Sequence, residues 1–190
     1  MLKKIKTQEQ AAREKKRNQI IVGSLLMGIL LLSSIGYSFF SKDKTNNFGE
    51  QIVEENGLEF TKTNGIWSTK INGLEFGFQF LPSEVSDVPV DISLSLADYT
   101  GKVVYFVNAN AISSEIVPNL NSYVLRSQES CLEGESCSRK DLPVKNCDEK
   151  LIIYKESNDT KVSQDKGCVY LQGDAIKASD AFLYKILGVD

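Results

Sequence analysis

Histidine is absent from all 190 residues. That absence removes Ser-His-Asp and Cys-His nucleophilic machinery, the H-E-x-x-H metalloprotease arrangement, and His-ligated zinc, iron or copper. Thirteen glycines are present, yet neither the Walker A pattern nor G-x-G-x-x-G occurs, so nothing argues for a phosphate cradle. No two cysteines stand as C-x-x-C, the spacing of a thiol-redox motif. Charge and proline are both missing from Ile20–Phe40, IIVGSLLMGILLLSSIGYSFF.

That last absence carries the first positive expectation. A helix of this length, at ~1.5 Å per residue, reaches about 31 Å, the hydrocarbon thickness of a bilayer. A buried core helix competes poorly, because core helices are rarely apolar on every face for so long. A cleaved signal peptide is the stronger competitor, but its apolar core is shorter and ends in small residues. Here the best cleavage site is Ser34-Ile35-Gly36, and no cysteine follows closely enough for a lipoprotein anchor. Residues 1–19 carry seven cations against Glu9 and Glu14, net +5 in a chain of −3, leaving −8 beyond them. Lys and Arg before a first span hold it on the cytosolic side. The expected localisation is the cell membrane, single-pass, with the N-terminus cytosolic and the C-terminal domain extracytoplasmic. Ser24, Gly28 and Gly36 share one face and would let two such helices approach, although small residues also occur in spans that pack against nothing.

The expected organisation is a basic tail at 1–19, a transmembrane helix at 20–40, a polar linker at 41–50, and a domain at 51–190. The domain's acidic balance argues against nucleic acid, which wants a basic face. The expected partners are the lipid bilayer through Ile20–Phe40 and a protein of the membrane or envelope.

All four cysteines, Cys131, Cys137, Cys147 and Cys168, lie in that domain. An even count beyond a span suits an oxidising compartment and two disulfides, with Cys131–Cys137 and Cys147–Cys168 favoured among three pairings. A four-thiolate metal site would want C-x₂₋₄-C pairs, and the gaps here are wider. Reactive thiols are the remaining alternative.

Leu58–Thr63, Ile66–Ile71 and Leu74–Leu81 are short β-rich runs divided by Asn64-Gly65 and Asn72-Gly73, the preferred pair for a type I′ hairpin turn. NGLEF recurs at Asn56–Phe60 and Asn72–Phe76, which reads as the same turn leading into the same half-buried strand. Asp91–Ala97 alternates as a one-sided strand, and Val103–Val107 is apolar on both faces, as a central strand is. A helix is predicted from Ser113 or Ser114 to about Ser130, with Pro118 in its first turn. Leu151–Tyr154 and Val169–Leu171 are two further strands joined by polar Glu156–Lys166. Asp174 caps a last helix that Gly188 stops. The fold class expected is α+β: an N-terminal transmembrane helix, then a mostly antiparallel sheet with two packed helices and disulfides.

INGLEFGFQFLPSEV, with the ending CDEKLIIYKES…GCVYLQGD…DAFLYKILGV, resembles small membrane-anchored archaeal proteins that carry no assigned activity. The resemblance spans residues 56–188. It implies the same topology and brings no catalytic motif.

Carboxylate, Lys, Tyr, Ser or Cys chemistry remains open. Paired acids hydrolyse glycans, but no spacing sets one pair apart. A Ser–Lys dyad has no signature here. Asn108 and Asn110 follow the buried Val103–Val107 strand, where loops often carry ligand contacts; Asn side chains bonding their own turn is the competing account. Asn158-Asp159-Thr160 is a glycosylation sequon in a polar loop. No cofactor is indicated. The leading expectation is a non-catalytic binding or assembly module, an accessory subunit of an envelope complex. An outer-face enzyme, either carboxylate hydrolase or thiol–disulfide exchanger, is the alternative.

Overall fold

Three Asn-Gly pairs set the first third of the domain. Asn56, Asn64 and Asn72 adopt φ of 51°, 52° and 51°, and the glycines after them 73°, 87° and 83°. Two consecutive positive φ values define the type I′ turn, whose twist matches that of the flanking strands. The computed structural model describes residues 51–137 and 139–189, with Ile21, Val22 and Ser24. Contacts divide the chain into Met1–Phe48 and Gly49–Asp190. In the first unit the three described residues are helical.

The turns join β1 (Gln51–Glu55), β2 (Leu58–Thr63), β3 (Ile66–Ile71) and β4 (Leu74–Phe78) into an antiparallel meander of that order. Phe60, Trp67, Phe76 and Phe78 line its buried face. Its β4 edge is closed by side chains. Asn119 Nδ2 donates to Gly77 O at 2.7 Å, and Asn119 Oδ1 accepts from Gly77 N at 2.8 Å. Asp180 Oδ2 accepts from Gln79 N and Phe80 N, both at 2.9 Å, and Tyr184 donates to Phe80 O at 2.7 Å. An unpaired edge would otherwise template further strands.

The second sheet has six strands in the order β5 (Val90–Asp91), β11 (Lys161–Asp165), β12 (Cys168–Gln172), β10 (Lys150–Lys155), β6 (Val103–Val107), β7 (Arg126–Glu129). Four of its five pairings are parallel; β11–β12 is antiparallel. The helical elements are α1 (Leu96–Tyr99), α2 (Ser113–Leu120) and α3 (Ala175–Leu187). A small parallel pair, β8 (Cys131–Leu132) with β9 (Val144–Lys145), sits in the cysteine-bearing loop.

The centre of this sheet is apolar on both faces. Val104, Phe106, Ile152, Val169 and Leu171 join the core with α3 and the meander. Tyr105, Val107, Leu151, Ile153 and Cys168 form a second cluster on the other side. Asp174 Oδ1 accepts from Ile176 N and Lys177 N at 3.1 Å to start α3, and Gly188 at φ 72° ends it.

Several expectations need correction. The mostly antiparallel α+β sheet is instead a mixed pair of sheets, the larger mainly parallel, with few helices. The cause is the β6–α2–β7 crossover, which returns the chain in the same direction. The helix predicted to run to Ser130 ends at Leu120: Pro118 removes one N–H, and Arg126–Glu129 turns back as β7. In place of a strand over Asp91–Ala97, Val90–Asp91 alone pairs, and Ser95 opens α1. Gln51–Glu55 and Lys161–Asp165 are strands where none was expected.

The single-pass anchor is corrected as well. Among the described residues no helix is long and apolar enough to cross a membrane. The longest, α3, has 13 residues and reaches about 20 Å, and Lys177, Asp180 and Lys185 interrupt its apolar surface. Apart from Ile21, Val22 and Ser24, the expected span Ile20–Phe40, the tail and the linker lie outside the described residues. The cell-membrane localisation, N-terminus cytosolic and domain extracytoplasmic, is therefore not supported.

Candidate functional site

Strands β6 and β10 lie side by side and parallel, but their chains leave in opposite directions: β6 leads to β7 on one side, β10 to β11 and β12 on the other. In open α/β sheets the crevice outside such diverging carboxyl ends is the usual ligand position. Here it is occupied by residues that follow the strands. Asn108 adopts the left-handed region at φ 57°, ψ 45°, turning the chain into the Ala109–Ala111 helical turn. Its Nδ2 donates to Tyr154 O on β10 at 3.1 Å, so one of its amide groups is structural. Asn110 is exposed.

The opposing wall comes from the end of β7 and the loop beyond it. Ser130 N donates to Phe106 O at 2.8 Å, holding the chain beside β6 as it passes into β8. Cys131 and Cys137 are joined, with Cα atoms 5.5 Å apart. The result is a cleft of about 190 Å³ whose lining includes Asn108, Asn110, Ser130, the Cys131–Cys137 disulfide and Arg139. The structure thus brings together two features that sequence placed apart, the Asn108/Asn110 loop and the first disulfide. Cys147–Cys168, Cα atoms 4.9 Å apart, instead fastens the loop to β12. No cysteine among them is free. Asn158 lies exposed in the β10–β11 loop and is not part of the cleft. Thr160 of the same triplet accepts a hydrogen bond from Asp174 N at 3.0 Å.

Charges at the cleft are paired. Arg139 meets Glu129 at 2.9 Å and Asp141 at 3.1 Å. The hydrogen bonds to Asp141 raise the guanidinium pKa, and those from Arg139 hold the Asp141 carboxyl below its usual range. Glu135 meets Lys155 at 2.9 Å. Ser130 is buried and its Oγ has no hydrogen-bond partner. Among the described residues no three metal-binding side chains converge. Ser130, Glu129 and Arg139 had no signal in the sequence, since single polar residues in a polar loop form no pattern.

A wider groove of about 640 Å³ runs between the Pro82–Val85 turn and α3, lined mainly by Val85, Val88, Tyr184 and Val189. It is larger than the strand-end cleft and also holds Asn56, Ser86 and Lys185, while its Glu55 already accepts from Ser83 N at 3.0 Å and Ser83 Oγ at 2.8 Å. The strand-end cleft is distinguished from it by position, since it lies where the strand connections diverge. Comparison with family models, curated proteins and solved structures finds no match to this chain. Nothing in these comparisons supports the expected resemblance to small membrane-anchored archaeal proteins.

Proposed function

We propose that the domain is a non-catalytic binding module and that it works through the cleft at the carboxyl ends of β6 and β10. The supporting observation is the meeting of Asn108, Asn110, Ser130 and Arg139 where the strand connections diverge. A hydrolase would need two carboxylates free to exchange protons across a cleft. Glu129 and Glu135 are instead each paired with a cation, Arg139 and Lys155. The test is a small-fragment screen of the full-length, oxidised, isotope-labelled chain read by amide shifts. Perturbations should gather at Asn108–Asn110 and Ser130–Leu132. Clustering along Val85, Val88 and Tyr184 instead would move the site to the larger groove and overturn this reading.

A further inference from the structure

We propose that the open edge of β1 takes an extended segment of another protein as a fifth strand of the meander, with a Lys or Arg of that segment set against Glu54. The two edges of the meander are treated differently. Side chains of α2 and α3 close the β4 edge, whereas among the described residues β1 pairs only with β2. Glu55 and Leu58 flank the two-residue Asn56-Gly57 turn as a hydrogen-bonded pair, and such pairs alternate along an antiparallel ladder. Val53 and Gln51 therefore also face β2, and Ile52 and Glu54 turn their N–H and C=O groups outward. Neither proline nor bulge, devices that commonly blunt an edge, interrupts the strand. This edge shares no residue with the strand-end cleft.

The side chains choose the occupant. Val53 pairs with buried Phe60, so Ile52 and Glu54 stand on the outer face, where Ile52 is 58% exposed. Glu54 lies directly opposite Glu59, an unfavourable like-charge pair. Among the described residues no ion pair includes either acid. The meander's two cations are placed elsewhere: Lys62 lies over the Trp67 ring at 4.8 Å, and Lys70 stands opposite Glu75. A basic side chain on an added strand, opposite Glu54, would supply the missing charge. A β-branched residue two positions away would cover Ile52. A second copy fits poorly, since two β1 strands side by side would bring Glu54 and Glu55 of each together with no cation on either strand.

The experiment titrates the full-length oxidised protein with the peptide acetyl-Thr-Val-Thr-Lys-Thr-Val-Thr-amide, which reads alike in both strand directions, and follows amide shifts. The Ile52 and Glu54 amides should move, with Asn108–Asn110 and Ser130–Leu132 unaffected. Glu in place of the peptide's Lys should weaken binding at least about threefold, and added salt should weaken the Lys peptide. N-methylation of that Lys and the following Thr keeps charge and sequence but removes the pairing N–H groups, and should abolish the shifts. Glu54→Lys should reverse the preference, favouring the Glu peptide. No shift at Ile52 and Glu54, or full binding by the methylated peptide, would overturn strand addition. Equal binding of the Lys and Glu peptides would overturn the charge assignment. A dimer whose Ile52 and Glu54 amides are protected from exchange would give the edge to a second copy and overturn the proposal too. Should Glu54→Lys fail to fold, the wild-type comparison of the three peptides decides.

Discussion

The two faces of the six-stranded sheet are closed by different means. One is sealed by apolar mass: α3 and the meander bring Phe60, Phe78, Phe182 and Ile186 against Phe106, Ile152 and Leu171, and Tyr184 stacks on Phe78 with ring centroids 4.2 Å apart. The other is covered by the loop from Cys131 to Glu149, much of which is exposed, over a cluster of only five buried residues. Apolar area alone holds the first cover. The second has too little of it, and two disulfides with Lys145 over the Tyr105 ring at 4.5 Å make up the difference. Where a small cover must stay loose enough to border a cleft, covalent staples substitute for burial.

The contrast can be broken from the apolar side first. Phe182→Ala leaves a cavity in the helix face and should cost about 3–5 kcal/mol in denaturant unfolding. Asp180 tests the polar element of the same face. It is fully buried, Oδ1 has no partner, and burial, with Glu115 and Asp174 nearby, pushes its carboxyl up to about 7 from 3.8. Between those pH values the folded protein keeps a proton that the unfolded chain has released. Stability therefore falls as pH rises from about 4 to about 7 and then levels, by a few kcal/mol. Asp180→Asn retains an acceptor for Gln79 and Phe80 and should flatten that slope, becoming the more stable form at pH 8. A slope unchanged in the variant would assign the titration elsewhere.

The stapled face should respond less. Replacing Cys147 and Cys168 by serine releases a ring with a sequence separation of 21 and should cost about 3 kcal/mol. Replacing Cys131 and Cys137 releases a separation of 6 and should cost about 2 kcal/mol, while hydrogen exchange quickens in the loop more than in α3. Equal exchange across the two faces would show that the disulfides do not act locally.

What the sequence disclosed follows the range of the forces involved. Strands β2 to β4 of the meander were legible because the Asn64-Gly65 and Asn72-Gly73 turns are local chemistry, and Val103–Val107 because a doubly buried strand must be apolar throughout; the polar β1 was not. The α3 caps, Asp174 and Gly188, are local too. Arg126–Glu129 and Lys161–Asp165 were not legible: they are polar segments whose strand character comes from neighbours distant in sequence. Strand direction was misjudged for the same reason, since parallel pairing leaves no mark on a short run. At the cleft, Asn108, Asn110 and the cysteine pairing were visible from position and parity. Ser130 was not, because its isolation is a property of what surrounds it.

The Cys147–Cys168 bond has a kinetic consequence. The ring it closes contains β10 and β11 entire and ends on the first residue of β12, so it ties together three strands that neighbour one another in the sheet. In the oxidised chain their pairing is a short-range event, whereas β6 must find β10 across more than forty residues. Loop-closure entropy falls on the second search, so the ring assembles first and β6 docks onto it as the slow step. Reduction removes the head start, turning a two-stage assembly into a single long-range search whose rate reports on the bond.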